Sequence, residues 1–134
     1  MSSANVEIVR RAFEAWNSGD AENAIELLDP DIEWRLPPNF PDAQAWHGRD
    51  AVVQGLTAVA GAWDEFHIDV QELIDAGDRV VALVRFHGRA AITGLDLGGV
   101  SVDGQVWTLR NGKAVDVQMY NGRSEALRAA GIEA

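Results

Sequence analysis

The dipeptide Asn111-Gly112, set between two runs of alternating apolar residues, constrains this chain more than any other feature. A two-residue reversal of the favoured hand needs positive φ at both positions, which Asn and Gly tolerate and most residues do not. Residues 100–109 and 114–121 are therefore expected to pair as an antiparallel hairpin, the first of them broken or bulged around Asp103-Gly104. Upstream, Ala76-Gly77-Asp78 marks another reversal, between a strand carrying Phe66, Ile68 and Val70 and a long β run over residues 79–91. Gly94, Gly98 and Gly99 mark the turn that follows. An earlier strand is read where Ile32, Trp34 and Leu36 alternate with Glu33 and Arg35, before Pro37-Pro38 stop it. Residues 39–44 read as a loop.

A sheet of this kind needs a cover, and the N-terminus supplies it. Val6, Val9, Phe13 and Trp16, with Ile8 and Ala12 beside them, recur at helical spacing. Ser3 or Asn5 can cap this helix, and Asn17-Ser18-Gly19 ends it. Asp20 caps a shorter helix carrying Ala24, Ile25, Leu27 and Leu28, which Pro30 stops. A third helix is predicted over residues 50–59, with Val52, Val53 and Leu56 as its buried side. Helices grouped on one side of an antiparallel sheet define an α+β layer fold. The expectation is a cone-shaped, curved sheet under N-terminal helices, an α+β roll formed by one domain over residues 1–134.

Charge and residue usage narrow the function. Eleven basic against twenty-one acidic residues give a net charge of −10, which repels phosphate backbones and anionic membranes. Neither nucleic acid nor membrane is an expected partner. The absence of cysteine excludes disulfides, thiolate metal sites and a cysteine nucleophile. Three scattered histidines lack metal-ligand spacing, so no metal and no cofactor is expected. The amphipathic N-terminus, with Arg10 and Arg11, lacks the apolar run of a signal peptide, and a cytoplasmic location is expected.

The stretches NVEIVRRAFEAWNSGD, LLDPDIEW, WHGRDAV, ELIDAGDRVVALVRFHGRA and VWTLRNGKAVDVQMYNGRSEALRAAGI resemble a SnoaL-like domain of the nuclear-transport-factor-two superfamily. That superfamily also holds ketosteroid isomerases, limonene epoxide hydrolases and polyketide cyclases. The resemblance implies the cone fold with a pocket for a small apolar organic ligand, and a homodimer formed through the convex sheet face. The isomerases it implies would carry a tyrosine where Ala12 stands and a general-base aspartate where Leu36 stands. Their protonated aspartic acid falls on the strand that begins near Gln105. None of the three is present. The epoxide hydrolases would carry an Arg-x-Asp pair, which becomes Arg85-Phe86-His87 here, and a second aspartate, which becomes Met119.

Strand period then selects candidate residues. Between 79 and 91, Val81, Leu83, Arg85, His87 and Arg89 share one face, and Val80, Ala82, Val84, Phe86 and Gly88 share the other. The second set is wholly apolar and suits the convex dimer face. The first would point into the cone, with Arg85 as anchor for a developing oxyanion and His87 as base. Trp34, Leu36, Gln105, Trp107 and Met119, with Trp16 and His47 at its margin, would line the ligand site. Two readings remain open. One is a cofactor-free isomerase, cyclase or hydrolase acting by general acid-base chemistry on an apolar substrate. The other is a non-catalytic ligand-binding or dimeric interaction module of the same fold.

Overall fold

The computed structural model describes residues 3–35, 45–61, 63–90, 104–120 and 122–132, with side chains except at 3, 21, 58–61, 63–67 and 86–90. Helices α1 (Ser3–Asn17) and α2 (Ala21–Glu26) precede strand β1 (Leu28–Arg35). A short β2 (Ala45–His47) leads into α3 (Arg49–Gly61). Strands β3 (Trp63–Ala76), β4 (Arg79–Ala90), β5 (Gly104–Arg110) and β6 (Lys113–Tyr120) follow, and α4 (Arg123–Ala129) comes last. Leu36, the loop over 39–44, the turn containing Gly94, Gly98 and Gly99, and the first part of the strand expected from 100 lie outside the described residues.

The expected hairpin is present. Arg110 pairs with Lys113 across Asn111 (φ 54°) and Gly112 (φ 79°), so both central residues hold the conformation that selected them. The sheet is mixed and open rather than purely antiparallel, with the order β2-β1-β6-β5-β4-β3. The exception to antiparallel pairing is β1, which runs parallel to β6. Pro30 does not end α2. It lies inside β1, where the pairing with β6 is irregular between Leu28 and Glu33. A residue without an N–H is tolerated at such an irregularity because no ladder bond is demanded of it. The backbone N–H of Asp31 is satisfied locally instead, by the Asp29 carboxylate at 2.8 Å.

Two asparagines moor α1 to the far edge of the sheet. Asn5, a candidate cap, is inside the helix and donates from its side-chain amide to the carbonyl of Gly77 in the β3–β4 turn. Asn17 accepts from the Ile68 N–H at 2.9 Å and donates to the Ile68 carbonyl at 2.7 Å. Its amide thus occupies backbone groups on an edge strand that would otherwise recruit another strand.

One face of the sheet packs on α1 and α3. Val9, Ala12 and Phe13 of α1 and Val52 of α3 bury against Ile32, Trp34, Val80, Ala82, Val84, Trp107, Leu109, Val117 and Met119. The opposite face buries Val81, Leu83 and Val106 beneath Ala126 of α4, with Leu127 and Ile132 packed beside them. Between Val80 and Val84 both sides of β4 are therefore covered by the chain itself.

Close approaches fix where the covers sit. A Cβ at Gly104 would lie 2.6 Å from the Cβ of Ala126, so α4 rests directly on the β5 backbone. A Cβ at Gly55 would lie 2.5 Å from the indole of Trp46, which packs flat against α3. Alanine at position 55 gains helix propensity, by about 1 kcal/mol relative to Gly, but collides with a ring that cannot shrink. Gly55→Ala is expected to destabilise the fold by about 1–3 kcal/mol in urea denaturation, the usual cost of overpacking. Unchanged or increased stability would show that the Trp46 ring does not rest there.

Candidate functional site

The pleat sorts side chains into two chemically different faces. On β5, Gln105, Trp107 and Leu109 are buried, and Trp107 and Leu109 join the cluster under α1 and α3. Directly opposite residues of neighbouring strands share a face. Ala82 pairs with Gln105 and Gln105 with Met119, which makes one row across the inner face. Val80, Trp107, Val117 and Trp34 make the next. Trp46 pairs with Trp34 and extends the second row.

This arrangement corrects the expected facing of β4. The even-numbered Val80, Ala82 and Val84 look toward the helices, and the odd-numbered Val81 and Leu83 lie under α4. Arg85 continues the odd phase and is exposed, with Asp69 as its cross-strand neighbour. It does not join the inner-face residues. The side chain of His87 lies outside the described residues, and its backbone pairs with that of His67. The described part of the apolar stripe expected to require a second subunit, Val80, Ala82 and Val84, is instead a wall of the chain's own core, so these three residues give no argument for a dimer.

His47 is also not brought to the inner face. It pairs with Glu33, its side chain is 72 % exposed, and its Nδ1 lies 3.8 Å from Glu33 Oε1. Trp46, one position earlier, has the inner phase. Alternation within residues 45–47 was the available signal, but three residues carry too little pattern to announce a strand. Trp16, in the last turn of α1, is half-buried. Of the ligand-lining residues expected, Trp34, Gln105, Trp107 and Met119 are brought together.

Their geometry is specific. Trp107 is the hub of an aromatic cluster, with ring centroids 5.4 Å from Phe13 and 5.6 Å from Trp34, the latter edge-on. Its indole N–H donates to Gln105 Oε1 at 2.8 Å. An indole nitrogen can only donate, so this bond fixes which end of the Gln105 amide is oxygen. The Nε2 end is then left with two N–H donors and no partner among the described residues, in a residue only 1 % exposed. Gln105 is the one buried polar residue among those described. An unmet donor in such a place costs about 1–3 kcal/mol, so its persistence asks for an explanation. Trp34 Nε1 donates to the thioether of Met119 at 3.1 Å.

Charge is kept to the other face of the same strands. Arg35 bonds Glu33 Oε2 at 2.8 Å and Asp116 Oδ1 at 2.7 Å, with Arg35 and Asp116 side chains 47 % and 26 % exposed. Pairs this wet are worth at most about 1 kcal/mol. Among the described residues no group of three or more His, Asp or Glu is placed to hold a metal, and no helix is long and apolar enough to cross a membrane.

Partial burial pushes the Asp116 carboxyl above its ordinary value more than the Arg35 guanidinium pulls it down. A raised value means that the folded chain holds this proton more tightly than the unfolded chain. The associated stabilisation is present at low pH and is lost as pH rises through the folded value. A carboxyl-detected NMR titration is expected to place the Asp116 midpoint above that of an ordinary aspartate, and Arg35→Gln should raise it further. A midpoint at or below the ordinary value would contradict this picture of the outer face.

Known structures share this architecture. An NTF2-like protein of unknown function from Burkholderia pseudomallei is 26 % identical, with a TM-score of 0.75 over 93 % of this chain and 95 % of that one. TerC, co-crystallised with polyporic acid, is 20 % identical, with a TM-score of 0.73 over 96 % and 98 %. A putative polyketide cyclase from Sinorhizobium meliloti is 17 % identical, with a TM-score of 0.65 over 84 % and 93 %. No curated protein matches the sequence. The SnoaL-like domain model matches residues 9–117, most of the chain, from α1 into β6. With hairpin, helical cover and two-faced sheet all in place, the chain belongs to the SnoaL-like domain family.

Proposed function

We propose that this protein binds a small, mostly apolar molecule on the inner face of its sheet, where an oxygen of the ligand accepts from Gln105 Nε2. The observation that carries the reading is the amide of Gln105, which is buried, oriented by Trp107 through its oxygen, and without a partner for Nε2 among the described residues. Its row supports a ligand as well. Ala82 on one side contributes only a methyl group, and Met119 on the other is a flexible chain. Apolar walls with one convergent polar group are the usual composition of small-molecule sites. The structural neighbours co-crystallised with an organic acid or described as a polyketide cyclase have this fold, and at their identities they support the architecture alone.

The described inner face contains no acid or base, since Gln105 is its one buried polar residue. The reading is therefore of binding and polarisation of a ligand oxygen. Proton transfer by Arg85 and His87 is not part of it.

Calorimetric titration with 2-acetylnaphthalene, a neutral aryl ketone, tests the proposal. Saturable binding is expected, weakened about tenfold in Gln105→Leu, the equivalent of one hydrogen bond. The stability of that variant should change by no more than about 1 kcal/mol. It exchanges an orphan amide for an orphan Trp107 N–H while gaining apolar burial. Failure of the ketone to bind, or equal binding by Gln105→Leu, overturns the reading.

A further inference from the structure

Trp34, across β6 from Gln105 on the same inner face, carries a donor of its own that is only weakly met. A thioether sulfur is a poor acceptor, and in an apolar surround an indole N–H has much to gain from an oxygen instead. The sulfur that occupies it belongs to Met119, the direct cross-strand neighbour of Gln105. Met119 on β6 thus lies between N–H donors carried by its two flanking strands, Trp34 on β1 satisfied poorly and Gln105 on β5 without a partner among the described residues. Methionine has three rotatable bonds and repacks at little cost.

We infer that Met119 is a movable placeholder, and that the ligand oxygen displaces its sulfur to accept from both Trp34 Nε1 and Gln105 Nε2. This rests on the proposed inner-face binding and adds a selection rule to it. Two donors converging on one oxygen suit an atom with two free lone pairs and no proton, the carbonyl of a neutral ketone, quinone or lactone. A carboxylate is disfavoured, because no buried cation accompanies Gln105 among the described residues and an unpaired charge is costly there. Trp34 and Met119 become specificity-determining residues: the first reads the oxygen, and the second holds its place when no ligand is bound.

The test uses full-length protein with ¹⁵N-labelled tryptophan, whose five indole signals are assigned for Trp34 by Trp34→Phe. The probes are 2-acetylnaphthalene, its hydrocarbon isostere 2-isopropenylnaphthalene, and 2-naphthoate. The ketone should bind about tenfold tighter than the hydrocarbon and move the Trp34 indole proton downfield, while the hydrocarbon leaves it in place. The carboxylate should bind weakest. Trp34→Phe should reduce the ketone to the affinity of the hydrocarbon. Met119→Leu removes the placeholder acceptor, so it should lower stability and strengthen ketone binding. Ketone binding that depends on Gln105 but leaves the Trp34 signal unmoved, with its preference over the hydrocarbon intact in Trp34→Phe, overturns this inference and spares the proposed function. Binding of neither neutral probe overturns both.

Discussion

The parity of the β4–β5 register governs what this domain can do. Ala82 faces Gln105 and Val80 faces Trp107, so any force that turns the two β5 side chains toward the helices turns the even-numbered β4 side chains with them. Trp107 is held there by Phe13 and Trp34 and by its bond to Gln105. A slip of one residue would send Val80, Ala82 and Val84 outward and bring Arg85 to the inner side, exchanging an apolar wall for an unpaired cation. The buried aromatic hub and the exposed guanidinium are two consequences of the same pairing.

That pairing also separates the chemistry of the two faces. Arg35, Glu33 and Asp116 share the outer phase of adjacent strands and neutralise one another where water can reach them. Trp34, one position from both Glu33 and Arg35, looks the other way into an apolar cluster. Among the described residues the inner face thus keeps Gln105 as its one buried polar residue, with its N–H end unmet. The oxygen of that amide serves Trp107, and its unmet N–H end, together with the weakly satisfied Trp34 donor, is what supports the proposed site.

Much of this was legible in the sequence. Asn111-Gly112 dictated its hairpin through φ alone, Gly19 ended α1 with φ of 80°, and alternation placed Trp34, Gln105, Trp107 and Met119 together, on what proves to be one buried face. The facing of β4 was not legible, for two physical reasons. Between 80 and 84 both phases are apolar, the odd one because α4 covers it, and the polar residues that follow on the odd phase, Arg85, His87 and Arg89, read either as a solvated edge or as polar anchors in a pocket. The parity of its register with β5 depends on the connection between them, whose glycines signal a reversal but not its length. The parallel pairing of β1 with β6 and the short β2 were missed because three residues carry too little pattern and a parallel partner leaves no local turn signal. The orphan state of Gln105 is a property of three dimensions that no spacing encodes.

Because the chain contains no cysteine, the facing can be read directly by placing one thiol at a time in an otherwise silent background. Thiol-labelling rates of Val84→Cys and Arg85→Cys under native conditions compare two adjacent positions that must lie on opposite faces. The account predicts rapid labelling at 85 and labelling at 84 only as fast as the protein unfolds. Rapid labelling at 84 with protection at 85 would reverse the sheet, place the guanidinium inside, and contradict the site described above.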